Sequence, residues 1–180
     1  MKRLAVCRSC AVLVLALLNF PVAIGSQDTV ETRASLRGLP GVQVLVEPVG
    51  DDAERDGLHR TDLQRDVELK LRLAGIRVLS EREMLESEAQ PTLYVVVTAL
   101  RRNLGPVPLG TTTRGVYAYN IGISVRQAVT LANGDVSVFA STWDVGGVGA
   151  TNADQVAEVR DLVKDRVDAF INAWLSANPK

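Results

Sequence analysis

Apolar residues recur along this chain with two periods, and the switches between them mark out strands and helices. Residues 42–49 (VQVLVEPV) set valines on one face and close at Pro48, which predicts a first strand. Residues 50–57 are charged and read as a loop. Leu63, Val67, Leu71 and Ala74 then repeat at helical spacing, with Asp66/Lys70 and Glu68/Arg72 as pairs on the outer side. Thr61 and Gln64 have the spacing of a capping box at the start of that helix, and Gly75 suits its end. Ile76, Arg77, Val78 and Leu79 predict a second strand. Ser80 and Glu83 repeat the capping box and predict a short helix through Met84 and Leu85.

Residues 93–100 are almost continuously apolar, the pattern of a strand covered on both faces. Residues 103–114, with two prolines and two glycines, read as a flap or partner loop. From Tyr117 the alternation is long: Tyr117, Tyr119, Ile121, Ile123, Val125, Val129 and Leu131 share one face. Asn133-Gly134 predicts a two-residue hairpin turn of type I′. That turn sets Leu131 against Val136 and Val129 against Val138 on the core side. It also sets Ala128 against Phe139 and Ser124 against Trp143 on the other. Gly146, Gly147 and Gly149 read as a glycine loop, with a helix starting at residues 151–155. Val156, Val159, Val163, Val167, Phe170, Ile171 and Trp174 give that helix one apolar stripe, ending near Ser176.

These elements predict an α+β fold with a mainly antiparallel sheet of about five strands. The order is β-α-β-β-β-β-α with a short extra helix, and the two long helices pack on one face of the sheet. A single domain over residues 42–177 accounts for all of it, after a flexible lead-in at residues 26–41.

The first 25 residues have the form of a secretory signal. Lys2 and Arg3 are basic, residues 11–18 are apolar, and Ala23 and Gly25 are small residues ahead of a cleavage site at Ser26. The apolar run is broken by Asn19 and Pro21 and is shorter than the ~20 residues of a membrane span. The expected location is therefore the periplasm or the exterior, with an N-terminal anchor in the inner membrane as the alternative. Cys7 and Cys10 leave with the signal, so neither a disulfide nor thiolate chemistry is expected. Lys2, Arg3 and Arg8 leave too, taking the net charge from −1 to −4, with no basic excess to attract nucleic acid. The remaining chain of about 155 residues buries roughly 70% of its unfolded surface, enough for one core.

Candidate chemistry is sparse. His59 is the sole histidine, there is no Gly-x-Ser-x-Gly elbow, and His59 reads as a solvated loop residue. Asp52, Glu54, Asp56 and Gly57 imitate the start of a calcium loop, but Leu63 stands where a bidentate carboxylate is needed. The Gly146–149 stretch lacks the Gly-Lys-Ser/Thr ending of a phosphate loop. No catalytic residue, metal or cofactor is expected. The candidate partner surface is the outer face of the hairpin, Arg126, Phe139 and Trp143, together with Pro106, Leu109 and Arg114 of the loop. The competing reading of the aromatics is a second core layer.

Residues 69–82, LKLRLAGIRVLSER, carry a helix, a glycine and an Ile-x-Val strand. In this the chain resembles small envelope domains: the N-terminal domain of the Tol-system propeller protein, the curli-secretion lipoprotein family and, more broadly, exported bacterial α/β proteins. The resemblance implies an accessory role in the cell envelope and assigns no residue a function. The expected function is a non-catalytic adaptor binding a protein partner, with self-association open to it. The alternatives are a small-ligand binder using the space between the sheet and residues 103–114, and a hydrolase without a recognisable motif. If the signal reading is right, intact mass and N-terminal sequencing of the exported protein give Ser26 as the first residue; a chain that keeps Met1 refutes it.

Overall fold

The structure, a computed structural model, describes residues 28–103, 115–134 and 136–179. In chain order the elements are α1 (Val30–Ala34), β1 (Gln43–Val46), α2 (Asp51–Arg55), α3 (Arg60–Leu73) and α4 (Glu81–Glu86). There follow β2 (Thr92–Arg102), β3 (Val116–Thr130), β4 (Ser137–Asn152), a 3-10 turn (Ala153–Glu158) and α5 (Val159–Ala177). The sheet runs β1-β2-β3-β4, with β1 parallel to β2 and the other pairs antiparallel. The architecture is α+β, as the periodicity predicts, with α3 and α5 as its long helices.

Helix α3 buries Leu63, Val67 and Leu71 and stops at Gly75, whose φ of +78° few other residues adopt. There the Ile76 amide donates to the Leu71 carbonyl at 2.9 Å and the Gly75 amide to Arg72 at 3.0 Å, a Schellman ending. Its start differs from expectation. His59 is the N-cap and makes no side-chain cap bond, so Thr61 already lies inside the helix. Gln64 is drawn away to β1, where its amide donates to the Val44 carbonyl at 3.1 Å. The Ser80–Glu83 capping box forms as expected.

The sheet has four strands where about five were expected. Residues 76–79 contribute a single bridge, Val78 beside Val42, before Ser80 turns the chain into α4. Gly41 permits that approach, because a Cβ there would sit 2.4 Å from the Arg77 carbonyl oxygen. Gly146, Gly147 and Gly149 lie in β4 and not in a loop. They pair with Gly122, Ile121 and Tyr119, and the Tyr119 ring occupies the space a side chain at Gly149 would need. The last helix accordingly begins later than residues 151–155, after a 3-10 turn whose Ala153 amide donates to Gly115 at 3.0 Å.

The hairpin register follows the expected pairs from Leu131/Val136 through Val129/Val138 and Ala128/Phe139. The turn itself is different: Gly134 donates to the Leu131 carbonyl at 3.3 Å without the positive φ of a type I′ turn. A bulge then intervenes. Arg126 pairs with Ser141 but Val125 with Trp143, leaving Thr142 as the extra residue. Trp143 therefore joins the core face, fully buried, with its ring 5.5 Å from Phe170, which in turn lies 5.8 Å from Trp174.

The lead-in contributes to the same core. Leu36 is fully buried, the Trp143 indole N–H donates to Asp28 at 2.9 Å, and the Gln127 amide donates to the Ser35 carbonyl at 3.1 Å. Helices α3 and α5 are joined across their outer sides by Arg160 and Lys164 on Asp66 and by Lys70 on Asp168.

The outward carbonyls along the β1 edge are all occupied. The Val42 amide donates to Arg77 and its carbonyl accepts from Leu79, while the Val44 and Val46 carbonyls accept from Gln64 and from Arg60 Nε at 2.6 Å.

Truncating Trp143 to Ala removes the centre of the aromatic stack and is expected to cost about 3–5 kcal/mol in urea unfolding. Phe139→Ala, on the exposed side, is expected to cost about 0.5 kcal/mol or less. Equal losses for the two would refute the assignment of faces.

Candidate interaction surface

Strand β3 has 15 residues and α5 has 19. At about 3.4 Å per strand residue and 1.5 Å per helical residue, the strand spans roughly 50 Å and the helix roughly 28 Å. The helices therefore cannot cover the sheet from end to end. β2 pairs with β3 only as far as Thr92/Arg126, and the Ala128 amide donates to the Ala89 carbonyl just before β2, so the ribbon beyond Ala128 and Phe139 projects as a two-stranded arm. On that arm Leu131, Val136, Val138 and Phe139 are 41%, 58%, 37% and 52% exposed. Thr130, Asn133 and Ser137 beside them carry no charge. Leu131, Val136 and Val138 on one side of this projection and Phe139 on the other form the clearest candidate contact surface among the described residues, in a stretch whose one charged residue is Asp135.

The residues expected to share a partner surface do not meet there. Trp143 is in the core, for the reason given by the bulge. Arg126 lies on the uncovered face of the sheet, its guanidinium 3.5 Å above the centre of the Tyr94 ring. Phe139 alone remains on the exposed arm. Pro106, Leu109 and Arg114 fall outside the described residues, as do residues 1–25 of the expected signal. Leu131, Val136 and Val138, expected in the core, lie past the reach of the helices. The cue in the sequence was the length of the alternation itself.

Tyr94 had no local signal, because its neighbours come from β1 and β3. Its hydroxyl donates to Glu47 at 2.6 Å, and that bond, with burial, holds its pKa above the usual value. Beside it the uncovered face dips into a cleft of about 220 Å³, floored by the facing pair Gly122 and Gly146 and rimmed by Arg126 and Asp144. A Cβ at Gly122 would meet nothing within 4 Å, so nothing in the fold itself demands a glycine there.

At the other end of the sheet the carboxylates that imitate a calcium loop are otherwise engaged. Residues 51–55 form α2, Asp52 pairs with Arg55, and Asp56 accepts from Tyr117 at 2.8 Å and from Arg101 at 3.0 Å. Glu54 lies 3.8 Å from His59. Among the described residues no cluster of three or more His, Cys, Asp or Glu forms, and no helix is long and apolar enough to cross a membrane. Near the arm, the hydrogen bond from Arg33 holds the Asp28 carboxyl below its usual value against the opposing effect of burial.

No family model matches the chain and no curated protein does, so the resemblance drawn from residues 69–82 finds no support in them. Among solved structures, the chain is similar to rare lipoprotein B from Shewanella oneidensis at 12% identity, over 72% of this chain and 97% of that one, with a TM-score of 0.32. A superposition that loose carries no inference about role.

Burial, and then the bond to Asp56, push the Tyr117 hydroxyl up to about 12. The fold thus favours neutral Tyr117, a contribution complete below the ordinary value of 10 and lost as pH rises towards about 12. Ultraviolet titration of the three tyrosines is expected to show Tyr117 ionising last, together with loss of the fold. Tyr117→Phe should abolish that last step; its persistence would refute the assignment.

Proposed function

We propose that this protein is a non-catalytic accessory or adaptor of the cell envelope that binds a protein partner through the projecting β3–β4 arm. The observation that carries the reading is the exposure of Leu131, Val136, Val138 and Phe139 on one projecting hairpin, Leu131, Val136 and Val138 on one side of it and Phe139 on the other. Such a surface costs free energy in water and recovers it when covered, at about 25 cal/mol for each Å² of apolar area. Aromatic and aliphatic side chains at the end of a stiff ribbon suit insertion into a groove on another protein. The envelope part of the reading rests on the signal-like first 25 residues.

The cleft over Gly122 and Gly146 favours a second reading, a small-ligand binder. Its rim offers Arg126 and Asp144, opposite charges that form no ion pair among the described residues. Filling it with Gly122→Val would abolish a ligand-induced thermal shift and leave partner binding by the arm intact.

A photo-crosslinking residue placed at Val136 or Phe139 in living cells is expected to give one discrete adduct whose mass is not a multiple of the chain's own. The same residue at Leu69, equally exposed on α3, should give none. No adduct from either arm position, or the same adduct from Leu69, would overturn the adaptor reading.

A further inference from the structure

The two edges of the sheet are treated differently. Every outward carbonyl of residues 42, 44 and 46 at the β1 edge has an acceptor role filled from within the chain. At the β4 edge, Ser35 reaches the Thr142 carbonyl at 3.5 Å, and beyond that point no described residue bonds to the edge. Past the bulge, odd-numbered residues of β4 face β3 in the ladder, as the bond from Ala153 to Gly115 continues. The amides and carbonyls of Asp144, Gly146, Val148, Ala150 and Asn152 consequently point outward, and no described residue hydrogen-bonds to them. This stretch has no lysine, proline or further bulge, the devices that ordinarily guard an edge.

We propose that this edge pairs, antiparallel and about a two-fold axis through Val148, with the same edge of a second copy of this chain. The register is self-complementary. Asp144, the one charged residue of β4, falls opposite Asn152 and not opposite its own copy. Gly146 falls opposite Ala150, Val148 opposite Val148, Val145 opposite Thr151 and Gly147 opposite Gly149, with no bulky pair to hold the backbones apart.

The helix layer supplies the charge argument. On α5, Arg160, Lys164 and Asp168 turn toward α3 and are ion-paired there. On the flank toward β4, the Arg166 guanidinium packs over Gly147, 3.1 Å from where a Cβ would stand, and its Nε is buried with no acceptor among the described residues. Asp165 beside it is exposed and makes no ion pair among the described residues. The two-fold axis brings the matching flank of the second α5 alongside, so that each copy offers Asp165 to the other's Arg166. An isologous contact of this kind uses one surface twice. It lies away from the arm and stands independently of the adaptor reading.

The test is sedimentation of the purified protein over a wide dilution range, with amide exchange on the same samples. The expected result is a mass of two chains when concentrated and one when dilute, with exchange at Gly146, Val148 and Ala150 slowed about tenfold or more on concentration. Val148→Pro removes an amide that the β3 ladder does not use, so it should stay one chain throughout with an unchanged melting temperature. Val148→Lys, which leaves the backbone alone, should do the same. A single-chain mass for wild type at every concentration overturns the proposal. So does exchange at those three amides that ignores concentration, or pairing that survives both substitutions.

Discussion

At Thr142 one extra residue is fitted into the ladder between β3 and β4, and from there onward every side chain of β4 changes face. Trp143 turns inward as a result and meets Phe170, which links it to Trp174 near the end of α5. Its indole N–H then reaches Asp28, and Gln127 bridges Thr142 Oγ1 and the Ser35 carbonyl. One displaced residue thus couples the long hairpin, the closing helix and the start of the described chain. Without it the largest side chain of the strand would stand in water, and the chain just before α1 would lose the bond from Trp143 to Asp28.

The same displacement marks the limit of what could be read from residue order. The stripes of α3 and α5, the capping box at Ser80 and the hairpin pairs from Leu131/Val136 to Ala128/Phe139 are local patterns, and each was legible. A bulge has no residue of its own to announce it. Extending the register unbroken from the turn therefore put Trp143 on the wrong face. Gly146, Gly147 and Gly149 resemble a loop by composition, but long-range pairing with β3 holds them in a strand. Thr61 has the right spacing for a cap and loses the role because Gln64 is committed to β1, a contact that sequence spacing does not reveal. Of the candidate surface, Phe139 alone was foreseen in place; the apolar residues around it were expected in the core because strand and helix lengths had not been compared.

That comparison also explains where this fold keeps its exposed apolar area. The two-layer arrangement protects the middle of the sheet, where Val95, Ile123 and Val163 are buried, and leaves its arm bare. The fixed charges lie elsewhere: Asp66 sits between the helices with Arg160, and Asp56 at the opposite end with Arg101 and Tyr117. Electrostatic ties hold the layers together, while the arm carries a single charged residue, Asp135.

The closed side of β1 has a consequence for growth. A sheet with two receptive borders adds units without end and becomes a fibre. Here Gln64 and Arg60 occupy the carbonyls on one border, so any strand that docks along the other finds no continuation behind it. Polymerisation is terminated after a single addition by two side chains of a helix far removed from the surface that accepts it.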